Sequence, residues 1–105
     1  MSQATEVRVR HESGKCTIDG ELTLITAGNA LALLTDWVMS SQSILTLDLA
    51  EVTRSDSAGV AILIHCLRLA KQQNKQMTFY HVPEQMMAIG SASGVNEILP
   101  IVNNN

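Results

Sequence analysis

The chain has 105 residues, enough for one domain and too few for two, and with 46% apolar residues but a single Trp, Tyr and Phe its expected core is aliphatic. A net charge of −3, with no basic stripe and no aromatic ladder, argues against nucleic acid as a partner. No apolar run approaches the roughly 20 residues of a bilayer span, residues 1–10 lack a signal-peptide core, and Cys16 and Cys66 make no disulfide framework, so a soluble, cytoplasmic protein with two small buried cysteines is expected.

Residues 6–11 alternate Val7 and Val9 with charged side chains, the period-two pattern of a half-buried strand. Glu12, Ser13 and Gly14 are turn residues, and residues 15–19 alternate again with Cys16 and Ile18 on one face, so a hairpin is expected, closed by Gly20. Residues 22–39 predict a helix capped by Thr23 or Thr26, with Ala27, Ala30, Leu31, Leu34 and Val38 on one face and Gly28 weakening its start. Trp37 on this helix serves either the core or a partner.

Residues 43–49, SILTLDL, are apolar enough for a central strand covered on both faces. Residues 53–57 read as a polar connection, and 57–73 as the strongest helix of the chain. Residues 75–81 predict a strand. Pro83 opens a short helix to about residue 91, where it loses no N–H to the first turn, and Met86 and Met87 there fill core gaps. Gly94 ends that helix, and 95–102 form a short strand or helix. Residues 102–105, which end in three Asn, read as a frayed tail. Strands alternating with helices in the second half imply parallel pairing with helices over the sheet.

The segment Arg54-Ser55-Asp56-Ser57-Ala58-Gly59 joins an apolar strand to the long helix, at the carboxyl end of a strand, where parallel sheets usually meet ligands and partners. Ser57 or Asp56 caps the helix, and Gly59, lacking a side chain, lets other backbone approach the first turn. Either these are capping residues only, or Ser57 is an exposed hydroxyl at a positive helix end where a phosphate would meet free N–H groups. In the helix itself Ala61, His65, Arg68 and Gln72 make a narrow polar stripe, and Ile62, Cys66 and Leu69 belong to an apolar arc of roughly 220° at about 100° per residue. Either that arc is packed between neighbours or one edge of it is a partner surface.

The stretch LDLAEVTRSDSAGVAILIHCLRLAKQQ resembles the core of the STAS family, named for sulfate transporters and anti-sigma-factor antagonists. Asp48, Asp56, Ser57 and Gly59 match its pattern of an aliphatic strand ending in Asp, here Asp48, then a short link, and Asp-Ser/Thr-small-Gly opening a helix. The resemblance covers nearly the whole chain. It implies an α/β, STAS-type single domain, residues 1–105, with a mixed sheet of about four to five strands and helices packed over it. Within the family the helix ending Leu-Ala-Lys-Gln-Gln is most similar to the MlaB subfamily, the STAS subunit of a bacterial phospholipid ABC transporter, where a threonine stands in place of Ser57. That likeness implies a non-enzymatic cytoplasmic subunit held at the inner membrane by its partner, the transporter ATPase, which it stabilises.

The runner-up is an anti-sigma-factor antagonist phosphorylated at Ser57 by an anti-sigma factor serine kinase. In either case the expected contact set is Ser57, Asp56, Arg54, Ala58, Gly59, Ile62, His65, Cys66 and Leu69, with Arg54 and His65 alternatively only solvated. No catalytic group, metal or cofactor is expected. His11, His65 and His81 lie on separate elements, Ser57 has no evident base, Asp48 with Asp56 is thin ground for a cation, and no phosphate-binding Gly-Lys-Ser/Thr loop occurs. Direct membrane insertion is not expected, since no helix combines an apolar with a basic face.

Overall fold

The structure, a computed structural model, describes residues 6–40 and 42–102. In chain order it contains β1 (Val7–Glu12), β2 (Lys15–Leu22), α1 (Ala27–Val38), β3 (Ile44–Ser55), α2 (Ser57–Gln72), β4 (Gln76–Tyr80), α3 (Glu84–Ala92), a 3₁₀ turn (Val95–Glu97) and β5 (Ile101–Val102). The five strands form one sheet in the order β1-β2-β3-β4-β5, antiparallel between β1 and β2 and parallel elsewhere. This is the mixed α/β arrangement expected of the family.

The hairpin closes through Ser13 and Gly14, both at positive φ, the two-residue geometry whose twist matches that of the flanking strands. Gly14 also accepts the Thr46 N–H at 2.9 Å, which fixes the start of β3 against the turn. Gly20 does not close β2. It carries a φ of 111° inside the strand, where the pairing with β3 shifts register, and the strand runs on to Leu22.

Three further boundaries differ from the sequence pattern. The helix expected from Leu22 begins only at Ala27. Thr26 occupies the cap position but its hydroxyl turns back, donating to the Glu21 carbonyl at 2.7 Å and accepting from the Thr23 N–H at 3.0 Å. These local bonds hold Thr23–Thr26 in a turn that competes with helix. The polar connection expected over 53–57 is instead the end of β3, whose backbone pairs Arg54 with Glu21 and Ser55 with Leu22. Asp56 alone lies between strand and helix. At the other end, the 95–102 segment is the 3₁₀ turn plus β5. The frayed tail expected over 102–105 does not include Val102, which pairs with Tyr80, and 103–105 lie outside the described residues.

The core lies on one face of the sheet. Cys16, Ile18 and Leu22 of β2, Leu45, Leu47 and Leu49 of β3, and Met77 and Phe79 of β4 are buried there with Leu34, Trp37 and Val38 of α1 and Leu63, Cys66 and Ala70 of α2. The alternate residues, among them Thr17, Thr46, Asp48, Thr78 and Tyr80, are partly exposed. The expectation that β3 is covered on both faces is therefore corrected. Its alternation of Leu with Thr and Asp is that of a one-sided strand. Lys75 ties the layers together by donating from Nζ to the Val38 and Ser40 carbonyls at the C-terminal end of α1, where a cation suits both the free carbonyls and the helix dipole.

The start of α2 packs closely on the end of β2. A Cβ on Gly59 would come 2.8 Å from the Leu22 carbonyl oxygen and 3.4 Å from the Met86 Cε of α3. Backbone cannot yield as a side-chain tip can, so Gly59→Ala is expected to lower stability by about 1–3 kcal/mol. Urea unfolding should show this as a lower midpoint with an unchanged slope.

Candidate functional site

The site is assembled where β2, β3 and the start of α2 converge. Asp56, in extended backbone conformation, is the cap of α2, and its Oδ1 accepts the Ala58 N–H at 2.8 Å. Its other oxygen, Oδ2, accepts the Leu24 N–H at 3.1 Å, 32 residues away in sequence. One carboxylate thus both opens α2 and holds the β2–α1 loop beside it. Because Asp56 caps, Ser57 stands at the first helical position, exposed, and its hydroxyl makes no hydrogen bond among the described residues.

The first-turn donors are largely taken. The Ala58 N–H is bound by Asp56 Oδ1 and the Gly59 N–H by the Asp56 carbonyl at 2.9 Å. A phosphate on Ser57 would therefore not be drawn into a nest of free N–H groups, as the sequence pattern had suggested. It would stay on the surface, stabilised by the helix dipole. Arg54 is exposed and lies 3.9 Å from Glu21, its cross-strand neighbour.

Other residues of the expected contact set separate. Cys66 is 0% and Ile62 4% exposed, Gly59 is buried, and Leu69 and Ala58 are half-buried. The wide apolar arc of α2 is covered because the helix packs against α1, β4 and α3. Cys66 is hence a core residue and not a contact residue, and Ile62 reaches the surface only as part of a groove wall. Burial pushes the Cys66 thiol up to about 12, and burial with the neighbouring Cys66 does the same for Cys16. His65 is half-buried, with Nε2 3.5 Å from the Thr35 hydroxyl of α1.

The exposed apolar surface lies elsewhere. Leu24 and Ile25 are 78% and 79% exposed in the loop that Asp56 holds, and Leu31, Leu33 and Met39 continue the exposure along α1. Between α1 and α2 runs an apolar groove of about 270 Å³, lined by Ala27, Gly28, Leu31, Ala58, Ala61 and Ile62 among others. Leu24 and Ile25 escape sequence reasoning because periodicity places them inside a helix that the Thr26 and Asp56 hydrogen bonds prevent from forming.

On the open face of the sheet, Asp48 lies within β3 and not at its end. Its Oδ1 accepts the Ala50 N–H at 2.9 Å and stands 2.9 Å from His81 Nδ1. Burial pushes its carboxyl up, but the Ala50 N–H, the His81 ring and nearby Lys15 outweigh burial and hold it below the ordinary carboxylate range. Among the described residues no group of three or more His, Cys, Asp or Glu side chains is placed to hold a metal ion, and no helix is long and apolar enough to cross a membrane.

A family model described as "Mlab, STAS domain" matches residues 5–102. The chain belongs to that family. An anti-sigma-B factor antagonist of Listeria monocytogenes is 21% identical over 86 residues, covering 82% of this chain and 75% of that protein. Among solved structures, the phosphorylated form of the Bacillus cell fate determinant SpoIIAA superposes with a TM-score of 0.69 at 13% identity, over 94% of this chain and 91% of that one. An anti-sigma-factor antagonist (STAS) domain protein from Planctomyces limnophilus gives 0.74 at 16% identity, over 95% and 92%. The structural matches support the fold.

These matches correct the transporter reading. The curated relatives are anti-sigma-B factor antagonists, not subunits that stabilise a phospholipid-transporter ATPase, and they favour the runner-up over it. The text that suggested the transporter subunit, Leu-Ala-Lys-Gln-Gln, falls at the far end of α2 from Ser57, with Lys71, Gln72 and Gln73 exposed.

Two outcomes follow from this geometry. Asp56→Ala removes the α2 cap and the Leu24 bond together and is expected to cost about 1–3 kcal/mol. Hydrogen exchange should show faster exchange at both the Leu24 and Ala58 amides. Asp48 is depressed in the folded state, so its contribution is present above the ordinary carboxylate pKa and is lost as pH falls through the folded value. Asp48→Asn is accordingly expected to flatten the acid limb of the stability–pH curve while leaving its shape near neutrality.

Proposed function

We propose that the protein is a non-enzymatic binding module of the anti-sigma-factor antagonist type, switched by phosphorylation of Ser57. The observation that carries this reading is the division of labour at the start of α2. Asp56 does the capping, so the Ser57 hydroxyl is surplus to the fold, exposed and available to a kinase. The relatives' names support the same reading.

A phosphate there adds nearly two negative charges. It would stand between the capping Asp56 and Ala58, which lines the apolar groove. No helix bond has to break to admit it, so the change is in the surface and not in the fold. The partner is a protein, an anti-sigma factor with serine-kinase activity, that reads this surface when Ser57 is unmodified and is repelled when it is phosphorylated.

The test is to mix the protein with ATP and an anti-sigma factor kinase encoded in the same genome, then map the mass gain. Phosphate is expected at Ser57, with none on Ser57→Ala. Calorimetry should find that Ser57→Glu binds the kinase at least tenfold more weakly, about 1.4 kcal/mol, with its melting temperature and circular dichroism unchanged. Phosphate at another residue, or unaltered binding by Ser57→Glu, would overturn the reading. Unfolding of Ser57→Glu would show that Ser57 is structural and overturn it equally.

A further inference from the structure

Beyond Asp48, the strand that leads to Ser57 loses one of its neighbours. β4 pairs with β3 only over Ile44–Asp48, whereas β2 accompanies β3 to Ser55. Among the described residues, no strand lies beside the other edge of β3 from Leu49 to Ser55. What meets the end of β3 there is α3. Gln85 Oε1 accepts the Ser55 N–H at 3.3 Å. Met86 packs so near Gly59 that a Cβ on that glycine would lie 3.4 Å from the Met86 Cε. Ser55 stands two residues before Ser57 and Gly59 two residues after it. Adjacent side chains in the first turn of α3 thus meet the backbone on both sides of the hydroxyl.

The start of α3 is in turn fixed from the open face of the sheet. Asp48 is the last residue of β3 paired to β4, and its partner Tyr80 is followed at once by His81. The ring Nδ1 of His81 stands 2.9 Å from Asp48 Oδ1. That same oxygen accepts the Ala50 N–H, where β3 carries one residue more than β2 between paired positions. Such a bulge leaves a residue unpaired in the ladder and redirects the strand. The carboxylate is therefore anchored by its own strand before it meets the imidazole. His81 holds a φ of 56°, uncommon outside glycine. Only Val82, which is buried, and Pro83, whose ring fixes its φ, separate it from α3. A connection this short and stiff passes the position of the imidazole on to Gln85 and Met86.

We infer that Gln85 is a positioning residue for the Ser57 hydroxyl, and that the Asp48–His81 bond on the open face of the sheet holds Gln85 in place. The inference rests on the reading of Ser57 as the modified residue and adds how its presentation is governed. Breaking the Asp48–His81 bond frees the end of β3 and leaves the cap of α2 intact, because Asp56 makes its two bonds to other groups, Ala58 and Leu24. The hydroxyl then stays exposed but is no longer held in one place.

Two substitutions at His81 separate the bond from the backbone. His81→Gly removes the imidazole and accepts the positive φ without strain, whereas His81→Asn tolerates that φ and keeps a side-chain N–H to donate. Hydrogen exchange at the Ser55 amide is expected to be about tenfold faster in His81→Gly and close to wild type in His81→Asn. Gln85→Met keeps the length of the side chain, loses the acceptor and should match His81→Gly. The two changes combined should be no faster than either alone, since groups acting along one route do not add. With the kinase, kcat on His81→Gly is expected to fall about tenfold with KM little changed, and His81→Asn should recover it. Gly94→Ala strains a left-handed glycine beyond α3 where a Cβ meets nothing, so it lowers the melting temperature and should leave Ser55 exchange and kcat as they are. Unchanged Ser55 exchange in His81→Gly, equal losses in the Gly and Asn variants, additive effects in the double variant, or faster exchange with kcat untouched would each overturn the inference. Exchange needs no kinase, so a wild-type chain left unlabelled at Ser57 would sink the phosphorylation reading alone, and Ser55 exchange would still decide the coupling.

Discussion

Two hydrogen bonds from one carboxylate organise the functional end of the molecule. Asp56 receives the Ala58 N–H on one oxygen and the Leu24 N–H on the other. Capping alone would require only the first. The second reaches across to the lead-in of α1 and draws a loop with two exposed aliphatic side chains against the start of α2. Ser57 and the exposed Leu24 and Ile25 are therefore held on the two sides of one carboxylate. A charge-assisted bond to a backbone N–H is stronger than a neutral one, so this link keeps in place a loop that buries neither of its own large side chains.

Around that link the sheet supplies a rigid frame. Its parallel strands bring the carboxyl ends of β2 and β3 side by side, with Leu22 paired to Ser55, and the Leu22 carbonyl sits against Gly59 in the first turn of α2. The start of α2 is thus held by its cap, by backbone contact from β2 and by Met86 of α3. Rigid support of this kind suits a surface read through charge. A phosphate on Ser57 would alter what a partner meets without needing the helix to move.

Much of this was legible in the sequence, for reasons that also explain what was not. The strands announced themselves by period-two alternation, and α2 by its length and by Asp-Ser-Ala-Gly at its start. The true beginning of α1 was hidden, since a bond between Leu24 and Asp56 spans 32 residues and leaves no local trace. The last residues of β3 were hidden as well. Glu51–Ser55 are mostly polar, and only their backbone pairing to β2 makes them strand. The expected contact residues at and beyond the start of α2 divided for a related cause. Ser57, Asp56 and Arg54 lie where their polarity put them, whereas Cys66 and Ile62 were assigned to an apolar edge that α1 and α3 cover.

The two cysteines carry a last consequence. Both are fully buried, one in β2 and one in α2, and both thiols are pushed up to about 12. Near neutrality burial keeps both as thiols and not as the thiolate that oxidants and electrophiles attack. Both cysteines are thereby kept from thiol chemistry at the surface. The surface at the start of α2 therefore presents a hydroxyl, that of Ser57, and no thiol beside it.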